Sequence, residues 1–322
     1  MQMDMETSSR FVEQVPAVNT REAFCRAFPK HVTLVEVGPR DGFQFEEKTV
    51  PTALKLEIIM RLVEAGFKHI QVASFVHPGK VPQMADAEKL FSALSGIPGT
   101  AFSALVLNMA GVERAISSSL THIEVSISAS NRHSLNNTGI SADAALKMGL
   151  KMVALSKRHG MHVRAGIQCA FGSGYAETIF PDRIAAMAKD LVTAGADMLC
   201  LADTTGMATP LTVQQVLCSV RAAAVDLPIV LHLHDTRGLG LANVMAALSC
   251  GVSHFDTALA GMGGCPFIQG AAGNIATEDT LYLMSSLHVE TGLNLSKISA
   301  CSRDLEVFFD KRFPGKLYRH CD

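Results

Sequence analysis

Short apolar, β-branched runs alternate along this chain with longer stretches in which apolar residues recur every three to four positions. Residues 32–37 form the first such run, closed by Gly38-Pro39. From Pro51 a helical face carries Leu54, Ile58 and Leu62 and ends at Gly66. The couple recurs as 69–75 with 87–94, 102–107 with 112–119, 123–128 with 142–159, and 163–170 with 181–195. It continues as 198–202 with 211–225, 229–234 with 239–250, and 254–259 with 277–287. Eight strand–helix alternations with nearly continuous apolar strands suit burial on both sheet faces, and they favour a closed (β/α)8 TIM barrel over an open doubly wound sheet. The spacing predicts one further helix over 298–309. The expected layout is an N-terminal extension over 1–30, a barrel over 31–295, and a C-terminal helix and tail over 296–322, with the tail serving as a lid or an oligomer contact.

Composition narrows this picture. A chain of 322 residues with 48% hydrophobic and 18% charged residues can bury one large core without a second domain. A net charge of −2, from 28 basic and 30 acidic residues spread along the chain, offers no electrostatic footprint for nucleic acid or an anionic membrane. The 8 cysteines are scattered without a CxxC pair and read as reduced thiols. The first 26 residues match neither a secretory signal nor an Arg-rich transit peptide, and no segment reaches transmembrane length free of charge. A cytoplasmic protein is expected.

A barrel of this kind carries its chemistry at the C-terminal ends of its strands. After strand one, Gly38-Pro39-Arg40-Asp41-Gly42 sets a cation beside a carboxylate; Asp41 suits a metal and Arg40 a developing oxyanion, although the segment alone also reads as an ordinary turn. After strand seven, His232 and His234 stand at i and i+2, which strand alternation aims at one face. Strand eight runs into a glycine-rich stretch with Cys265 at its centre and Asn274 at its end, suited to closing over a ligand. That stretch matches no phosphate-cradling motif. Asp41, His232, His234 and Asn274 make an oxygen and nitrogen donor set that suits Mg²⁺ or Mn²⁺. A metal held so can bind a tertiary hydroxyl together with a carbonyl, and retro-aldol or retro-Claisen cleavage follows from that chemistry.

Several longer runs then carry a family resemblance. The run 35–44, Val35-Glu36-Val37-Gly38-Pro39-Arg40-Asp41-Gly42-Phe43-Gln44, is one; Ser74-Phe75-Val76 through Val81-Pro82-Gln83-Met84 and His232-x-His234-Asp235-Thr236 are two more. The segment from Ala260-Gly261 through Gly263-Gly264-Cys265-Pro266 to Gly273-Asn274 and Thr277-Glu278-Asp279 is the fourth. Together they resemble hydroxymethylglutaryl-CoA lyase, with the Gly-Gly-Cys-Pro loop marking that branch of a wider metallolyase superfamily. The resemblance implies metal ligation by Asp41, His232, His234 and Asn274, and enolate stabilisation by Arg40. It implies acid/base work by Cys265 on the closing loop, a proton-handling role for His232, and supporting roles for Asp203 and Glu278. It places Gln44, Ser74, Gln168 and Thr204 beside an acyl-CoA substrate. Whether the chain is a monomer or a homo-oligomer stays open at this point.

Departures from the family pattern cluster on one face. Gln71 stands where the family carries a strand-two glutamate; the amide keeps the reach but can neither accept a proton nor neutralise Arg40. Phe45, Gly166, Gln168 and Cys200 also differ from the usual residues, as do Leu233, Arg237 and Leu239 around the histidines. The expectation is a retained metal and mechanism in a remodelled pocket. Three readings stay open: cleavage of hydroxymethylglutaryl-CoA itself, the same barrel acting on a different acyl-CoA or oxo-acid in either direction, and a non-catalytic metal-binding barrel.

Overall fold

A computed structural model describes residues 28–223, 225–264 and 272–321. Eight parallel strands close on themselves in sequence order: β1 Thr33–Glu36, β2 His69–Ser74, β3 Ala101–Val106, β4 His122–Ser128, β5 His162–Gln168, β6 Met198–Ala202, β7 Ile229–His232 and β8 His254–Thr257. The chain is a (β/α)8 TIM barrel. Helices α1 Thr52–Glu64, α2 Ala87–Leu94 and α3 Met109–Ser117 return the first three strands. Helix α4 Asn131–Thr138 and then α5 Ala142–Arg158 follow β4, and α6 Pro181–Thr193, α7 Pro210–Ala222, α8 Gly240–Ser249 and α9 Thr277–Ser286 complete the ring. A last helix, α10 Leu295–Phe309, lies against α1.

Local chemistry sets the helix starts. Asn108, Ser141 and Asn294 each accept an N–H of the first turn, and Thr209 with Thr212 forms a reciprocal cap on α7. Helix α4 adds an element that the apolar pattern does not predict. It is polar almost throughout and is defined by the Ser130 cap at one end and the left-handed Gly139 at the other, so it carries no apolar period to read. Strand β7 ends at His232, two residues before the predicted boundary, because His234 leaves the barrel ladder to pair with Asn274.

The barrel core departs from the usual stack of branched apolar side chains. Glu124, Arg164 and Asp256 are buried inside it, with Gln71 and Cys200 beside them. The register pairs Glu124 with Arg164, and a bulge between Gln71 and Ala73 re-aims β2 at this level. The C-terminal segment braces the loop after β8: the Gly315 N–H donates to the Ala260 carbonyl at 2.7 Å, and Asp279 accepts the N–H groups of Lys316 and Leu317. Among the described residues, no helix is long and apolar enough to cross a membrane.

Candidate active site and metal centre

Gly38–Gly42 winds into a single π-helical turn at the end of β1, with Pro39 in its first positions. The turn buries both Arg40 and Asp41 at the C-terminal mouth of the barrel. Arg40 pairs with the neighbouring Asp41 through Oδ1, which also accepts from Gln44 Nε2 at 2.9 Å. Asp41 Oδ2 therefore faces the other way. It accepts from Asn274 Nδ2 at 2.7 Å and lies 3.7 Å from His232 Nε2.

The two imidazoles meet edge to edge, with His232 Nε2 3.2 Å from His234 Nε2. Asp256 holds His232 Nδ1 at 3.1 Å, so that nitrogen donates and Nε2 is left with its lone pair toward Asp41 and His234. Asp41, His232 and His234 offer ligand atoms that all lie within 4.8 Å of one another, the one such group among the described residues. Two buried polar atoms here, His234 Nδ1 and Asn274 Oδ1, have no hydrogen-bond partner among the described residues. Lone pairs that face one another, beside a carboxylate and an unpaired amide oxygen, fit a bound hard or borderline divalent cation.

The charge states of Asp41 and His234 agree with that fit, whereas His232 would give up a proton on binding the cation. Burial alone would raise the Asp41 carboxyl, but Arg40, His232 and His234 outweigh it and hold the group below its ordinary value. Burial, with His232 next to it, pushes His234 down to about 3, so its ring is neutral and free to donate a lone pair. His232 moves the other way: burial opposes its charge, yet the bond to Asp256 and the nearby Asp41 carboxylate prevail and raise it.

A cavity of about 620 Å³ opens above these groups. Ser74, Gln44, Gln168 and Thr204 are on its wall, as are Phe45, Glu124 and Cys200. Ser74 Oγ is buried without a partner among the described residues, and Thr204 Oγ1 accepts the Cys169 N–H at 3.0 Å. Gly263 closes one side: with φ +113, it brings its backbone so near that a Cβ would lie 2.6 Å from Asn274 Nδ2. Cys265, with the stretch 265–271, lies outside the described residues.

Neither supporting acid is in the ligand cluster, although the Asp203 N–H donates to the His232 carbonyl at 2.8 Å. Asp203 Oδ1 accepts the N–H groups of Met207 and Ala208 and so ties down the loop after β6; burial raises its carboxyl to about 7. Glu278 takes the Ala260 N–H at 3.0 Å and pairs with Ser302, which links α9 and α10 beneath the loop after β8. Arg237 donates to the carbonyls of Thr205 and Gly206 and Leu233 is core, so neither touches the cavity.

Four buried acids and bases went unassigned in the sequence. Gln71 Nε2 donates to Glu124 Oε2 at 2.6 Å, Arg164 binds Glu124 and Asp256, and Asp256 reaches His232. With Arg40 donating to Gln71 Oε1, a continuous chain runs from Arg40 through the barrel interior to His232. The signal was there: charged residues inside apolar strands, at positions whose alternation faces inward. Glu36 is the fourth, buried between β1 and α9.

A family model described as HMGL-like matches residues 31–305. The chain belongs to that family. It is 37% identical over 275 residues to the mitochondrial hydroxymethylglutaryl-CoA lyase of Arabidopsis thaliana, a match covering 85% of this chain and 59% of that protein. Among solved structures, the hydroxymethylglutaryl-CoA lyase of Pseudomonas aeruginosa superposes with a TM-score of 0.87 at 33% identity, covering 91% of this chain and 98% of that one. An HMG-CoA lyase from A. baumannii, solved in complex with coenzyme A and 3-methylmalate, gives a TM-score of 0.85 at 31% identity over 90% of this chain and 95% of that one. Family relatives include proteins named as mitochondrial and as cytoplasmic lyases.

Proposed function

We propose that this chain is a divalent-metal-dependent carbon–carbon lyase that cleaves 3-hydroxy-3-methylglutaryl-CoA to acetyl-CoA and acetoacetate. The observation that carries the reading is the convergence of Asp41, His232 and His234 beside Arg40 at the floor of the cavity. Asp41, His232, His234 and Asn274 would hold Mg²⁺ or Mn²⁺. When bound, the metal supplies Lewis acidity to the substrate's tertiary hydroxyl and the oxygen next to it.

In the cleavage, the hydroxyl loses its proton, the C2–C3 bond breaks as C3 becomes a carbonyl, and the electron pair passes to the thioester as an enolate. A proton delivered to C2 then gives the methyl of acetyl-CoA. His232 is the assigned proton handler, with Asp256 fixing its tautomer through Nδ1. Arg40 presents its guanidinium to the enolate oxygen, and its bonds to Gln71 and Asp41 pre-set its orientation. Cys265 is assigned the protonation at C2. Gln44, Ser74, Gln168 and Thr204 are assigned to substrate, and Asp203 and Glu278 to holding the loops after β6 and β8. The barrel over 31–295 is taken as the catalytic domain and 296–322 as its brace. The free thiols Cys169, Cys200, Cys218, Cys250, Cys301 and Cys321 support a reducing, cytoplasmic setting.

The test is turnover by the purified protein with Mg²⁺ or Mn²⁺, read as acetyl-CoA released. Activity is expected to vanish with EDTA and return on adding metal, and Asp41→Ala or His234→Ala is expected to weaken metal binding by 10-fold or more, on the order seen for lost ligand-shell residues. A metal-loaded protein that releases no acetyl-CoA overturns the substrate assignment. A second reading, another 3-hydroxyacyl-CoA cleaved by the same chemistry, draws on the wall itself. Phe45 is 44% exposed in the cavity mouth, and Gln168 lines the wall from the end of β5. A panel of 3-hydroxyacyl-CoA thioesters ranked by kcat/KM decides between the two.

A further inference from the structure

Gln71 and Gly166, two of the residues that set this chain apart from its family pattern, both lie against one carboxylate. Gln71 accepts from Arg40 Nε through Oε1 and donates through Nε2 to Glu124 Oε2 at 2.6 Å. An amide is the group that can accept from a guanidinium at one end and donate to a carboxylate at the other; a glutamate at 71 would set carboxylate against carboxylate. On the other side, a Cβ at position 166 would lie 2.7 Å from Glu124 Oε1 and 3.0 Å from Ser126 Oγ, so glycine makes the room that Glu124 occupies. Glu124 is buried and lines the same cavity as Arg40, His232 and His234.

We propose that Glu124 is the positioning residue for Arg40: its negative charge, transmitted through the Gln71 amide, holds the guanidinium in its working orientation. The carboxylate missing from β2 is thereby supplied from β4. The competing account makes Glu124 a counterion for Arg164 alone, and it has weight because Arg164 binds Glu124 as well as Asp256. That account assigns Gln71 no particular identity and predicts no coupling between 71 and 124. Double-mutant coupling therefore separates the two.

The proposal rests on the lyase reading, so its test has an arm that needs no turnover. In the kinetic arm, wild type, Glu124→Gln, Gln71→Glu and the double variant are compared on hydroxymethylglutaryl-CoA with Mg²⁺ or Mn²⁺. Each single change is expected to lower kcat by roughly 10-fold with KM within about 2-fold, and the double variant, which restores one carboxylate and one amide in exchanged places, to return to within about 3-fold of wild type. Gln71→Glu alone equalling wild type, or a double variant as slow as the product of the two single losses, overturns the proposal. In the structural arm, a crystal structure of Glu124→Ala is expected to show Arg40 turned away from Gln71. Arg40 and Gln71 still bonded in that variant also overturn it, whatever the substrate. An inactive wild type with a displaced Arg40 would sink the lyase reading and leave this inference standing, and thermal melts of all variants establish that each is folded.

Discussion

Glu36 precedes the Gly38-Pro39-Arg40-Asp41 turn, yet its carboxyl is not on the cavity wall. One oxygen accepts the N–H groups of Gly38 at 2.8 Å and Leu259 at 2.9 Å, and the other lies 2.7 Å from Thr277 Oγ1. Burial outweighs these bonds and pushes the group up to about 8, so at neutral pH it is a neutral acid joining the ends of β1 and β8 to α9. A folded-state value raised from 4.5 gives stability that is complete below the unfolded value and lost as pH rises through about 8. Glu36→Gln keeps an acceptor for both N–H groups and a donor for Thr277. It is expected to lie within about 0.5 kcal/mol of wild type at pH 5 and to flatten the decline between pH 5 and 8, whereas Glu36→Ala costs about 1–3 kcal/mol by stranding two buried donors. Urea melts across that window check this, and a constant difference between wild type and Glu36→Gln would contradict a neutral Glu36. Arg164 is the opposite case, a cation between Glu124 and Asp256. Arg164→Met leaves both carboxylates uncompensated, with an expected loss of about 3–5 kcal/mol by the same melts. Alternation marks residues 124, 164 and 256 as inward-facing. Their meeting is not legible, because the partners are 40 and 92 residues apart and only barrel closure joins them.

Elements divide by the kind of signal that makes them. Apolar strands and amphipathic helices are read from period alone, which is why the barrel is legible in the sequence. Elements made by caps or irregular backbone turns are not. Helix α4 depends on Ser130 and Gly139, and the Gly38–Gly42 segment is visible as a glycine-bracketed turn but not as a π-helical one. The sequence allows the C-terminal segment to be a lid or an oligomer contact; within the chain it is a brace, since Gly315, Lys316 and Leu317 bond to Ala260 and Asp279 around the loop after β8. Asp279→Ala removes the acceptor of two of those N–H groups. A loss of about 1–3 kcal/mol is expected, seen as a drop of roughly 2–10 °C in Tm. Tryptic cleavage at Lys311 and Arg312 is expected to quicken with it. Unchanged melting and cleavage would show that α10 is held by its apolar face alone.

Across the whole molecule the barrel separates two polar ends that burial treats differently. At the C-terminal mouth, opposite charges share Asp41, Arg40 and His232. At the N-terminal mouth, β2, β4, β5 and β8 each begin with histidine, and His69, His122, His162 and His254 enclose a cavity of about 90 Å³ with Arg164 above them. Imidazoles and a guanidinium crowded around His69 in so small a space disfavour its protonation. Burial first, and then His122, His254, Arg164 and His162, push His69 down to about 4; burial likewise lowers His122, which His162 lowers further while Asp197 raises it, and His254, which Arg164 lowers further. A histidine held below 6.5 stabilises the fold while both states are neutral, and that stability drains away as pH falls from about 6.5 toward 4. Each strand's first residue was legible in the sequence as a histidine, but the ring they form depends on register, which places His122 beside His162 and aligns His254 with Thr33. His69→Gln is therefore expected to lose less stability than wild type between pH 6.5 and 4.5, because it removes one proton acceptor from the ring and leaves the carboxylates of the opposite mouth as they were. Urea-melt free energies at closely spaced pH values measure the difference. If wild type and His69→Gln run parallel through that window, the histidines at this mouth are solvated well enough to titrate normally, and acid sensitivity belongs to the carboxylates at the other end.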